Sequence, residues 1–116
     1  MASYWRPQLN TYPAAFQDNA TVGTFTHANK GMELRPPNHI GSKQNLPVIL
    51  DITVINKHAT NTLSVSFDNG EHWVELENKD DAASMEMYTK DPVLVKGSAA
   101  DTSFQYFGQY CHEKVK

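Results

Sequence analysis

The sequence has 116 residues and a mass of 13.0 kDa; 40% of its residues are hydrophobic and 20% charged. That is enough chain for one modest core, and too little for a Rossmann unit with a second domain, a TIM barrel or a propeller. A net charge of −3 argues against a strongly basic nucleic-acid binder, the single cysteine excludes an intrachain disulfide framework, and no run approaches the roughly 20 apolar residues of a membrane span.

The opening MASYWRPQLN has no apolar h-region, so no secretory leader is expected, and the expected site of synthesis is a reducing cytoplasm. Composition then divides the chain near residue 45. Residues 1–45 hold four branched aliphatics, Leu9, Val22, Leu34 and Ile40, against fifteen in residues 46–116. Yet the first part carries five of the twelve aromatics: Tyr4, Trp5, Tyr12, Phe16 and Phe25. Large apolar groups at wide spacing, in a segment too poor in aliphatics to enclose them, predict an extended N-terminal arm over residues 1–45. Tyr4, Trp5, Tyr12 and Phe16 are its expected anchors, on its own body or on another subunit. Charge divides at the same place, +2 for residues 1–45 and −5 for residues 46–116, so arm and body attract each other. Within the arm, Val22–Thr26 and Met32–Arg35 flank Asn29-Lys30-Gly31 and predict a small edge hairpin. Alternatively, the run GMELRPPN reads as an edge strand entering the body.

Residues 46–116 read as strands. Val48–Ile55 is strongly β-branched, with Val48, Leu50, Ile52 and Val54 on one face. Leu63, Val65 and Phe67 alternate with Ser64 and Ser66; Met85 and Met87 alternate around Glu86. Pro92–Gly97 is a short strand, and Ser103–Tyr110 a longer one with Gly108 as a candidate bulge. Helical periodicity is sustained nowhere. The expected fold is all-β, a small antiparallel β-sandwich or jelly-roll-like body with the arm attached. Its expected core is Leu50, Ile52, Val54, Leu63, Val65, Val74, Leu76, Val93 and Val95.

One motif stands out. Ser66 to Trp73 fits S-x-D-x-G-x-x-W and resembles the Asp box, a hairpin signature repeated in sialidases and other propellers. Here it occurs once, so it predicts a hairpin and not a glycosidase. Asn-Gly accepts positive φ, and the Asp carboxylate accepts backbone N–H bonds inside the turn. Asp68, Asn69 and Gly70 are therefore structural residues. A two-residue turn at Asn69-Gly70 sets Leu63 opposite Leu76, Val65 opposite Val74 and Phe67 opposite His72. That register puts Trp73 on the face away from the core, as a covered hairpin residue or a contact residue.

The five histidines, His27, His39, His58, His72 and His112, do not pair at metal-ligand spacing, and adjacent Cys111 and His112 do not readily share a tetrahedral ion. Asp80-Asp81 reads as a polar turn, because two catalytic carboxylates need separate positions across a cleft. No catalytic, cofactor-binding or metal-ligating residue is expected, and no cofactor.

The stretch from Val48 to Tyr110 resembles a recurrent small β-sandwich of tailed-phage virion proteins. The likeness rests on ITVINKHATNTL, a strand ending in an Asn-containing turn; LSVSFDNGEHWVEL, a serine strand with its hairpin; and VLVKGSAADTSF, a late strand closing on small residues. The resemblance implies a structural protein with no catalytic residues to carry over. Some such proteins decorate or cement the capsid as trimers; others sit in necks or fibres. The leading expectation is a non-enzymatic decoration protein, made in the host cytoplasm and placed on the virion's capsid surface. Its partners would be the major capsid protein and its own copies in a homotrimer, with neither nucleic acid nor membrane. The alternative is a tail, neck or fibre module that binds glycans, with Trp73, Tyr106 and Phe107 as a stacking platform.

Overall fold

The computed structural model describes residues 14–25, 30–37 and 47–111. Eight strands form among them, in chain order β1 (Ala14–Val22), β2 (Met32–Leu34), β3 (Val48–Asn56), β4 (Leu63–Ser66), β5 (Val74–Leu76), β6 (Ala82–Thr89), β7 (Val93–Gly97) and β8 (Thr102–Cys111). They make two four-stranded antiparallel sheets, ordered β1-β8-β3-β6 and β2-β7-β4-β5. The inward residues of both sheets meet in one apolar cluster, so the fold is the expected all-β sandwich. Alternation places Phe104 and Tyr106 of β8, Ile52 and Val54 of β3, Leu63 and Val65 of β4, and Val93 and Val95 of β7 in that core.

The expected boundary at residue 45 does not separate an arm from a body. β1 pairs along its whole length with β8, and β2 pairs with β7, so residues 14–22 and 32–34 supply an edge strand to each sheet. Aliphatic counting misleads here because an edge strand presents only alternate residues to the core. Phe16, Ala20 and Val22 suffice, since β8 brings the aromatic partners. Phe16 is buried, its ring centroid 6.0 Å from those of both Tyr106 and Tyr110. Nor do Val22–Thr26 and Met32–Arg35 form a hairpin: β1 and β2 belong to opposite sheets. The other reading of GMELRPPN, as an edge strand, is the observed one. The Tyr106 hydroxyl reaches across and donates to the Arg35 carbonyl at 3.2 Å, and burial, with Asp18 beside it, pushes its pKa up to about 12. Tyr4, Trp5 and Tyr12 lie outside the described residues.

Two further expectations change through register. β3 slips between Ile49 and Asp51: Ile49 opposes Tyr110 and Asp51 opposes Gln109, leaving β3 one residue longer than β8. The slip reverses the side-chain phase, so Ile49 enters the core and Leu50 is only half-buried. The bulge is thus on β3 and not at Gly108. Gly108 lies directly opposite Ile52, where a Cβ would collide with the Asp51 carbonyl oxygen. It is the residue that lets the two backbones approach beside the slip. Val74 faces Val65 in the expected register, yet Val65 is 0% exposed and Val74 46%. The cause is strand length. β5 has three residues and ends its sheet, while β6, ending the other sheet, has eight.

Candidate functional site

The short β5 beside the long β6 determines the site. Trp73 and Glu77, outside any strand, bracket β5, so sheet two stops before it can cover the inner face of β6. Phe67, Val74, Met85 and Met87 consequently line a groove of about 320 Å³ on one side of the sandwich, rimmed by Asp68, His72 and Glu86. Met85 points to the core side of β6, opposite Ile52, but is 43% exposed. Glu86 pairs with Asp51 across the sheet, so two like charges face each other at the rim.

One end of the groove is the Asp-box hairpin. Asn69 and Gly70 both take positive φ, 61° and 97°, and Glu71 N–H donates to Asp68 C=O at 3.4 Å, closing the two-residue turn. The Ser66 hydroxyl donates to Asp68 Oδ1 at 2.9 Å and accepts from Gly70 N–H at 2.8 Å. Asp68 Oδ1 also accepts from His72 N–H at 2.8 Å, while Oδ2 lies 2.5 Å from His72 Nδ1. The His72 backbone N–H, then its imidazole, hold the Asp68 carboxyl down at about 2 against some desolvation, and the bond to Asp68 raises the His72 pKa. Asp68, Asn69 and Gly70 thus all take part in the turn's own geometry. Asp68, Glu71 and His72 bring their ligand-type atoms within 4.8 Å of one another, but both Asp68 oxygens and His72 Nδ1 are already bonded inside the turn.

Trp73 follows on the outer face of sheet two, as the register requires. Its Nε1–H donates to the Gly70 carbonyl at 3.1 Å, and the Lys96 ammonium sits 4.1 Å from its ring centroid. It is half-buried, covering the hairpin. Trp73, Tyr106 and Phe107 therefore do not form one stacking platform. Tyr106 is in the core, and Trp73 and Phe107 lie on the outer faces of opposite sheets. Phe107 is 40% exposed, between Gln17 and Thr53 and two residues from Gln105 and Gln109.

The three stretches behind the family likeness come together at one end of the sandwich. Asn56 is fully buried there, its Nδ2 donating to the Asn61 and Leu76 carbonyls at 2.9 and 2.8 Å and its Oδ1 accepting from His58 N–H at 2.9 Å. His58 Nδ1 accepts from Asn61 N–H at 2.9 Å. Asn61 Nδ2 donates to Thr102 Oγ1, which donates to the Ala99 carbonyl. Asp80 pairs with Lys57 at 2.9 Å and Asp81 accepts from Asn78 N–H, the polar turn expected of this acidic pair. Cys111 is buried; His27, His39 and His112 lie outside the described residues.

Of the expected interaction residues, Phe16 belongs to the core and Trp73 to the outer face; neither lines the groove. The sequence reading missed the groove because Val74 and Met85 look like ordinary inward residues. The available signal was the contrast between VEL, hemmed by turns, and AASMEMYT, which runs eight residues without a breaker. No protein-family model matches this chain, and no curated protein does.

Proposed function

We propose that the chain is a non-enzymatic structural protein of a tailed-phage virion, a decoration protein that binds the outside of the capsid lattice and reinforces it. Its partners in this reading are the major capsid protein and further copies of itself, as a trimer. The observation that carries it is the open side of the sandwich, where an apolar groove lies against the eight-residue edge strand β6. Isolated sandwiches guard such edges with charge, proline or a covering element. A lattice protein instead uses them, multiplying a modest affinity per site over many equal sites. The likeness of Val48–Tyr110 to phage sandwich proteins supports the same reading. Its test is copy number and position on the particle: a count equal to the lattice sites, with density over capsid faces, is expected. A count matching the tail symmetry would overturn it.

A second reading follows from Phe107, exposed on the outer face of sheet one with Gln17 and Thr53 as its cross-strand neighbours and Gln105 and Gln109 two residues away along β8. Neutral amides and hydroxyls around one aromatic ring suit a sugar. A fibre or neck module that holds host glycans would lose glycan-array binding on Phe107→Ala, whereas a decoration protein shows none to lose.

A further inference from the structure

We propose that Asn69 is a self-modification site held shut by the hairpin: the Gly70 backbone nitrogen is the nucleophile, and the Ser66 hydroxyl withholds it until the turn opens. Asn69-Gly70 is the one asparagine–glycine step in the sequence; every other asparagine is followed by a residue with a side chain. In such a step the following backbone nitrogen lies within ring-closing reach of the side-chain amide carbon, and glycine sets no Cβ in the way. The bond from Gly70 N to Asn69 Cγ forms, the Asn69 Cγ–Nδ2 bond breaks, and the Gly70 proton leaves with the amide as ammonia. The five-membered succinimide that remains is opened by water at either carbonyl, giving aspartate or isoaspartate. Water is the sole co-reactant, and Asn69 is exposed to it.

The folded turn blocks the first step. Gly70 is buried although Asn69 beside it is exposed. The Gly70 N–H donates to Ser66 Oγ at 2.8 Å and its carbonyl accepts from Trp73 Nε1 at 3.1 Å, so the peptide groups on both sides of Gly70 are held. Ser66 is itself fully buried and fixed by its own bond to Asp68 Oδ1 at 2.9 Å. A base has to reach the proton that it removes. The Gly70 proton points instead at a neutral hydroxyl, and the nearby Asp68 carboxylate is taken up: Oδ1 by the Ser66 hydroxyl and the His72 N–H, Oδ2 by His72 Nδ1. Isoaspartate carries the main chain through a side-chain carbon and so lengthens the two-residue turn that sets Leu63 opposite Leu76 and Val65 opposite Val74. A chain modified while open therefore does not reclose the same hairpin, and each such opening is recorded irreversibly. The proposal stands on the turn alone and is independent of the assembly reading.

The test is a rate. The full chain is incubated in a mildly alkaline buffer, folded and in concentrated guanidinium chloride, and conversion of Asn69 is followed by mass spectrometry of the peptide that carries it. Because only the open fraction reacts, conversion in the folded chain is expected to be at least about tenfold slower than in the unfolded one. Ser66→Ala is expected to raise the folded rate several-fold. Val65→Ala is the control: it destabilises the same strand through the core and leaves the Gly70 bond in place, so Asn69 is expected to convert close to the unsubstituted rate. Equal rates in the folded and unfolded chain overturn the proposal without any variant. So does a folded Ser66→Ala chain that converts no faster than the unsubstituted one. A Val65→Ala chain that converts as fast as Ser66→Ala also overturns it, because Asn69 would then follow global unfolding and not the Ser66 hydroxyl.

Discussion

The sandwich has a closed end and an open side, and they are built on opposite principles. At the closed end, Asn56 is fully buried and each of its side-chain atoms that can bond does so, tying the end of β3 to the loop before β4 and to the last residue of β5. At the open side, Phe67, Val74, Met85 and Met87 leave apolar surface uncovered beside an edge strand. Polar groups are buried where they lock the two sheets together, and apolar groups are exposed where sheet two falls short of β6. Burial therefore separates the regions better than residue type does: the asparagine is scaffold, and the valine and methionines are open surface.

That contrast is broken most severely at Asn56. Asn56→Ala would strand the Asn61 and Leu76 carbonyls and the His58 N–H in a buried setting, and a loss of about 3 kcal/mol is expected from denaturant unfolding. A loss under about 1 kcal/mol would mean that the loops reclose without it. Next comes Gly108→Ala, which forces a Cβ onto the Asp51 carbonyl oxygen and must spread β8 from β3; about 2 kcal/mol is expected, measured the same way.

A smaller effect, readable by pH, comes from the hairpin that joins the two regions. The Asp68 pKa falls from 3.8 unfolded to about 2 folded, so its contribution is complete above pH 3.8 and is lost as pH falls through about 2. His72 has the opposite sign. Its pKa is raised from 6.5, so its contribution is complete below pH 6.5 and fades as pH rises through the folded value. The pair is worth most between about pH 4 and pH 6.5. Asp68→Asn is expected to flatten the melting temperature against pH on both flanks of that window. An unchanged profile would show that the exposed pair contributes nothing measurable.

Legibility in the sequence followed the range of the interactions. The hairpin was readable to the residue, Leu63 opposite Leu76 and Val65 opposite Val74, because Asn69-Gly70 and two alternating strands fix register locally. The strands from Val48 onward were readable for the same reason. Sequence alone puts Phe16 in an arm because its partners, Tyr106 and Tyr110, are some ninety residues away in sequence, and only β1–β8 pairing brings them together. Alternation alone favours Leu50 over Ile49 because a one-residue slip leaves no mark in a run of β-branched residues. The groove was hidden most deeply, since it arises from two strands of unequal length in different sheets. Neither strand alone reports the other's length.

The smallest expected effect tests the open side most directly. Val65 and Val74 stand opposite each other across one hairpin, one fully buried and the other half in solvent. Val65→Ala is expected to cost about 2 kcal/mol through lost burial and the cavity left behind. Val74→Ala removes little surface that the sandwich itself covers, so about 0.5 kcal/mol is expected. What matters is the difference between the two losses, because the positions share one cross-strand pair and differ only in what covers them. Equal losses would mean that Val74 is covered in solution as Val65 is, and the side of the sandwich between β5 and β6 would not be open in the free chain.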